Sequence, residues 1–204
     1  MEALPIRRAN TGDAPTLASL HLACSSALPD RLENQLGSGY LASYYRVFLS
    51  EPESLILCSE IAGNQLSGLI SGVTHYADHL QTMQEKRWTL LFAAIPAILR
   101  RPRALGKLLN LHRQPWIAGA LDESSCAARI TFWCWRPQVQ PAGGGLILLQ
   151  AWLEAARLQG ITRVFGDVDE RNPRVTAIHR SLGATIQTQT FPDGSQQSLI
   201  RYDL

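Results

Sequence analysis

Two periods of hydrophobicity alternate along this chain. Short apolar runs rich in β-branched and aromatic residues are separated by longer stretches whose apolar positions return every three or four residues. "PIRRA" is a strand candidate that leads through "NTGD" into "APTLASLHLACSSAL", where Leu17, Leu20 and Cys24 recur at helical spacing. "ENQLGSGYLASYYRVFLSE" predicts a second helix carrying Tyr40, Tyr44, Tyr45 and Phe48. "SLILCSEI", the turn "AGNQ" and "LSGLISGVTH" predict a hairpin.

Beyond a long insertion, "ARITFWCW" (Ala128–Trp135) reads as a buried strand. A glycine stretch follows, then a helix from about Leu146 to Gln159 closed by Gly160 as a left-handed cap. "ITRVFGDV" is the next strand. "NPRVTAIHRSL" has Asn172 as N-cap, Pro173 at the first helical position and Gly183 beyond its end. "ATIQTQT" and "SLIRYDL" predict a terminal hairpin around "FPDGSQ". The order is β-α-α-β-β-(insert)-β-α-β-α-β-β, an α/β domain.

Composition narrows the class. The 204 residues are 46% hydrophobic and 18% charged, which predicts one packed domain spanning 1–204. A net charge of +2 argues against a nucleic-acid-binding surface. Cys24, Cys58, Cys126 and Cys134 form no C-x-x-C pair and no zinc pattern, so reduced, buried thiols and no metal are expected. No basic start precedes an apolar run, and no stretch approaches the ~20 apolar residues of a membrane span. The expectation is a soluble cytoplasmic protein, monomeric or homodimeric.

Charge is unevenly distributed. Residues 83–113 hold seven Lys/Arg (Lys86, Arg87, Arg100, Arg101, Arg103, Lys107 and Arg113) and one acid, Glu85. Helical runs are expected on either side of the Pro96 and Pro102 region. This basic insert can be a lid over an anionic acceptor, a segment lying on a membrane surface, or a helical pair packed on the domain with its charges solvated.

The glycines of "PQVQPAGGGLILLQAW" pose the sharpest chemical question. A buried strand enters and an amphipathic helix leaves, so they do not form a linker between domains. No Lys-Ser/Thr follows as in a P-loop, and Leu148 takes the place of the third glycine of a dinucleotide fingerprint. What remains is a turn whose backbone N–H groups, at a helix N-terminus, can hold a pyrophosphate. Gly143, Gly144 and Gly145 stand at its end, directly before the helix.

At these residues the chain resembles the GNAT superfamily of N-acetyltransferases. Gln140-Pro141-Ala142-Gly143-Gly144-Gly145 fits that family's Q/R-x-x-G-x-G/A acyl-CoA loop, which makes Gln140, Gly143 and Gly145 the motif positions and Gly144 the tolerant one, and Trp135-Arg136-Pro137 keeps the proline that precedes it. "NPRVTAIHRSLGA" matches a second segment, with Asn172 and Gly183 aligned, His179 in place of the usual tyrosine and Ala184 in place of phenylalanine. The resemblance implies a mixed, mostly antiparallel sheet of six to seven strands flanked by helices. The basic helical insert would then lie between the third and fourth strands.

It also implies acetyl-CoA as co-substrate and direct transfer to a small-molecule primary amine, such as an amino sugar, within a ternary complex. A non-catalytic acyl-CoA-binding module, or acetylation of a protein N-terminus or lysine, are the alternatives. The implied pyrophosphate donors are the backbone N–H groups of Gln140 to Gly145. Backbone groups of Trp133, Cys134 and Trp135 would line the pantetheine, with one of the two tryptophans packed in the core. His179 would be the general acid towards the leaving thiolate, and Asn172 a partner for the pantetheine arm. Candidate bases are Asp169 and Asp167, Glu60, His75 and His79. Cys134 is a formal alternative nucleophile, although direct transfer is the family rule.

Overall fold

The computed structural model describes residues 5–25, 32–61, 65–100, 127–136, 143–168, 172–190 and 196–204. The turns at 62–64 and 191–195, residues 101–126, Gln140, Pro141, Ala142 and Asp169 lie outside the described residues.

Seven strands form one open sheet in the order β1-β2-β3-β4-β5-β7-β6. They are β1 (Ile6–Arg8), β2 (Ser54–Ile61), β3 (Gln65–Val73), β4 (Ala128–Trp135), β5 (Arg163–Val168), β6 (Thr185–Thr190) and β7 (Gln196–Asp203). Every pairing is antiparallel except the central one between β4 and β5. Alternation in β2 sorts two cores. Leu55 and Leu57 face one side, while Ile56 and Cys58 face the other.

Helices α1 (Ala14–Ser25) and α2 (Leu32–Leu49) cover the Ile56 side through Leu17, Leu41, Tyr45 and Phe48. On the other side lies α5 (Gly144–Leu158), which buries Leu148, Leu149, Trp152 and Ala156 completely. Full burial of each such large side chain contributes about 1.5–3 kcal/mol. Trp152 is seated against Gly72, where a Cβ would lie 2.4 Å from its ring, and its Nε1 donates to the Leu55 carbonyl at 2.8 Å. Helix α6 (Pro173–Ser181) packs on the same side through Val175 and Ile178. Gly160, at φ +79, ends α5 in the left-handed conformation expected of it.

Three elements differ from the sequence pattern. Helix α2 is broken at Gly37, whose φ of +77 and ψ of −174 are non-helical, so one periodic stretch becomes two segments. A helix α3 (Tyr76–Glu85) begins before the insert as first delimited and runs three residues into it. Helix α4 (Arg87–Arg100) runs straight through Pro96. Pro96 is exposed, so the Phe92 carbonyl that loses its helical donor can be hydrated.

At the first strand, Arg7 donates to both oxygens of Asp13 at 2.8 and 2.9 Å, and to Glu60 at 2.6 Å. These bonds raise the guanidinium above its ordinary pKa and lower that of Asp13. No helix among the described residues is long and apolar enough to cross a membrane.

Candidate active site

Strands β4 and β5 pair over only three residues, Ala128↔Val164, Arg129↔Phe165 and Ile130↔Gly166. Beyond Ile130 each strand continues with its outer neighbour alone, β4 on β3 and β5 on β7. The gap is a cleft of about 530 Å³. Its walls are Thr131 to Cys134 of β4, Asp167 and Val168 of β5, Val175 and His179 of α6, and Cys24 and Ser25 at the end of α1. Such a volume lies within the roughly 300–1,000 Å³ of small-molecule sites. Backbone edges freed by the parting of two strands need partners, which a ligand in the cleft can supply.

A β-bulge decides what β4 shows to each side. Ser71 pairs with Phe132 and Gly72 with Ile130, leaving Thr131 as the extra residue. The Thr131 hydroxyl donates to the Ser71 carbonyl at 3.1 Å. Before the bulge Ala128 and Ile130 face α5; after it Trp133 and Trp135 do, while Phe132 and Cys134 face α1 and α2. The expectation that only one tryptophan would be a core residue is therefore corrected. They stand two residues apart on one strand and share a face.

Both indoles meet the N-terminus of α5. The Trp135 ring is bounded by Gly68 and Gly144, where added Cβ atoms would come within 2.3 and 1.9 Å of it. Gly144 is thus the least tolerant of the three glycines, contrary to the sequence reading. A Cβ on Gly145 would lie 3.3 Å from Trp133, and Gly143 has open space but a φ of +97. The Ile147 N–H to Gly143 carbonyl bond, at 3.1 Å, opens the helix. The amides of Gly144, Gly145 and Leu146 before it have no carbonyl one turn back within the helix, and the helix dipole favours an anion there. The Trp133 Nε1 is buried beside the cleft with no hydrogen-bond partner among the described residues.

Helix α6 supplies the opposite wall. The Asn172 side chain accepts from the Val175 N–H at 3.3 Å and caps the helix as the sequence predicts, and Asn172 also lines the cleft. His179 is buried, with its ring edge-to-face against Trp133 and its Nδ1 2.6 Å from the Tyr202 hydroxyl. It points inward, as its spacing from Val175 suggests. Burial lowers its pKa to about 4, so at neutral pH it is an uncharged imidazole. A neutral imidazole donates a hydrogen bond readily but gives up its proton poorly, and this bears on the general-acid role that the resemblance implies for it. Burial also raises the Tyr202 phenol above its ordinary value.

On the α1 side the Cys24 and Cys134 thiols lie together and interact. This interaction and nearby Arg136 lower the pKa of Cys24, whereas Cys134, the more buried of the two, is raised well above the ordinary thiol range by the same interaction and by burial. Cys134 is thus the poorer nucleophile of the pair. Cys24 counts as a core position in the helical pattern, which is why sequence reasoning missed it in the cleft. His21, also overlooked, stacks on Phe132 with centroids 3.6 Å apart, and its Nδ1 lies 2.8 Å from the Tyr45 hydroxyl. Tyr202, at the end of the last strand, carries no local signal at all.

The candidate bases are not brought together. Asp167 lines the cleft but is bound by Arg129 at 2.6 Å, and Glu60 is bound by Arg7. His79 is buried against Glu51 at 2.7 Å, and His75 lies 3.2 Å from Asp78. No group of three or more potential ligands that could hold a metal ion occurs among the described residues.

The sequence matches no protein-family profile and no curated protein. Solved structures match over almost its whole length. A GNAT superfamily phosphinothricin acetyltransferase from Sinorhizobium meliloti, in complex with acetyl-CoA, superposes with a TM-score of 0.60 at 11% identity, over 98% of this chain and 88% of that one. The PaiA N-acetyltransferase from Thermoplasma acidophilum, in complex with coenzyme A, gives 0.59 at 10% identity over 99% of each chain. The ribosomal-protein-alanine N-acetyltransferase from Brucella melitensis gives 0.54 at 18% identity, over 98% of this chain and 100% of that one. Their shared architecture is the one described above: the chain has the fold of the GNAT acetyltransferases.

Proposed function

We propose that this chain is a GNAT-superfamily enzyme that moves an acetyl group from acetyl-CoA to a primary amine of a small molecule, such as an amino sugar. The observation that carries this reading is the cleft where β4 and β5 part, with the N-terminus of α5 packed on the end of β4. An extended arm bearing amides suits strand edges without partners, and the unpartnered Trp133 Nε1 offers a donor beside it. The amides of Gly144, Gly145 and Leu146 suit a pyrophosphate, with Gln140, Pro141 and Ala142 completing the loop by resemblance.

In this reading the amine nitrogen attacks the thioester carbonyl carbon, the carbon–sulfur bond breaks and sulfur leaves as thiolate. The ammonium proton passes to water, since Asp167, the acid that lines the cleft among the described residues, is already paired with Arg129. A thiol of pKa ~8.5 is a fair leaving group without a strong acid. His179 then acts as a neutral, Tyr202-anchored donor near the sulfur, and backbone N–H groups of the bulged strand oppose the developing oxyanion.

One observation favours a second reading, an acyl-CoA-binding module without catalysis: a histidine buried against Tyr202 stands where the family has its tyrosine acid. Calorimetric titration with CoA, followed by thiol release from acetyl-CoA with amino sugars, polyamines and a peptide with a free N-terminus, separates the two. Thiol release with any acceptor supports the enzyme and names its acceptor class. Tight CoA binding without release supports the module, and absence of CoA binding overturns both.

A further inference from the structure

Helix α4 has two apolar faces, and the fold uses one of them. Leu90 and Ala94 are buried, and Ala94 packs with Leu36 of α2. Trp88, Phe92, Ile95 and Leu99 point away, with 60, 68, 44 and 79% of their surface exposed. Their spacing of four, three and four residues draws one continuous line along the helix. Among the described residues the only other large hydrophobic side chain so exposed is Leu158, so this stripe is a local feature and not general surface character.

The charges around the stripe identify its partner. Lys86 and Arg87 at the start of α4 and Arg100 at its end are exposed, and no acid lies between Lys86 and Arg100. Cations at a helix N-terminus oppose the macrodipole, so Lys86 and Arg87 are placed against the helix's own stability. The Arg87 guanidinium lies 5.5 Å from the Trp88 ring centroid, which gathers cation and indole at one end of the stripe. A second copy of the helix would set basic ends against basic ends in either orientation. An anionic lipid surface offers acyl chains to the stripe and phosphates to both ends.

We propose that α4 is a membrane-docking helix that lies in the plane of an anionic bilayer. Trp88, Phe92, Ile95 and Leu99 enter the acyl boundary, and Lys86, Arg87 and Arg100 meet lipid phosphates. Fourteen residues give a helix about 21 Å long, too short for the roughly 30 Å hydrocarbon core, so it lies on the bilayer and does not cross it.

The test is co-sedimentation of the full chain with phosphatidylcholine/phosphatidylglycerol vesicles and with pure phosphatidylcholine vesicles, at low and high salt and without acetyl-CoA. Binding to the anionic vesicles at low salt is expected, falling about tenfold or more on neutral vesicles or in high salt. The double variant Phe92→Ser/Leu99→Ser changes two exposed positions, and should keep the wild-type circular dichroism and melting temperature while binding about a hundredfold less. No binding by the wild type, or equal binding by the double variant, overturns the proposal. So does a wild-type dimer that the double variant converts to monomer without any vesicle binding.

Discussion

A side chain at Gly144 and the indole of Trp135 compete for one space: a Cβ there would lie 1.9 Å from the ring. The other edge of the same ring abuts Gly68, where a Cβ would come within 2.3 Å, so the indole cannot swing aside. Gly144→Ala is expected to cost about 1–3 kcal/mol as overpacking. Because it displaces the first turn of α5, it should also weaken CoA binding by about tenfold. Gly145→Ala, with its nearest contact at 3.3 Å, should do less on both counts. Urea denaturation and calorimetric titration measure the order, and a more damaging Gly145→Ala would contradict it.

His179 makes stability depend on pH. The unfolded chain takes up this proton near the ordinary value of 6.5, the folded chain only near 4. Between these values the unfolded state binds more protons, so stability rises with pH and is lost on acidification from about 6.5 to about 4. His179→Gln can still bond the Tyr202 hydroxyl but does not titrate. Its melting temperature should fall less than that of the wild type between about pH 6.5 and about pH 4.5. Parallel curves would show that the imidazole is solvated.

The cysteines should differ in reactivity. Cys24 is lowered by Cys134 and Arg136, whereas burial pushes Cys58 up to about 11, and the Cys24 thiol together with burial pushes Cys134 well above the usual range. Iodoacetamide at neutral pH should therefore alkylate Cys24 before Cys58 and Cys134, with at least about tenfold selectivity. Peptide mapping of a time course reads the order. Early modification of Cys58 would mean that β2 opens more readily than its burial indicates.

Trp152 ties α5 to the sheet by both packing and polarity. It is fully buried, and its Nε1 is bonded to the Leu55 carbonyl at 2.8 Å. Trp152→Phe should cost about 2–4 kcal/mol, combining a cavity with a buried carbonyl left unpaired. A loss below about 1 kcal/mol in urea denaturation would show that water reaches Leu55.

The order of elements, the helix ends at Asn172 and Gly160, and the inward direction of His179 were all legible, because each rests on local pattern or backbone chemistry. The break at Gly37 was not, since a glycine between good apolar spacings reads equally well as tolerated. Pro96 misled in the opposite sense, because the pattern does not reveal that the carbonyl it deprives faces water. The meeting of His179 with Tyr202, 23 residues apart in sequence, and of Cys24 with Cys134 belongs to tertiary structure. Periodicity assigns each residue a face, and it does not say which faces will share a cleft.

The extra residue at Thr131 has a consequence for how β4 can vary. It acts as a phase shifter: upstream and downstream of it, odd and even positions exchange the side of the sheet they serve. Drawing Thr131 into the ladder as an ordinary residue would leave the sequence unchanged, yet bring Phe132 and Cys134 to α5 and send both tryptophans towards α1. The glycines at 68 and 144 would then face side chains they were not shaped to receive. In this strand the spacing of residues carries as much information as their identity.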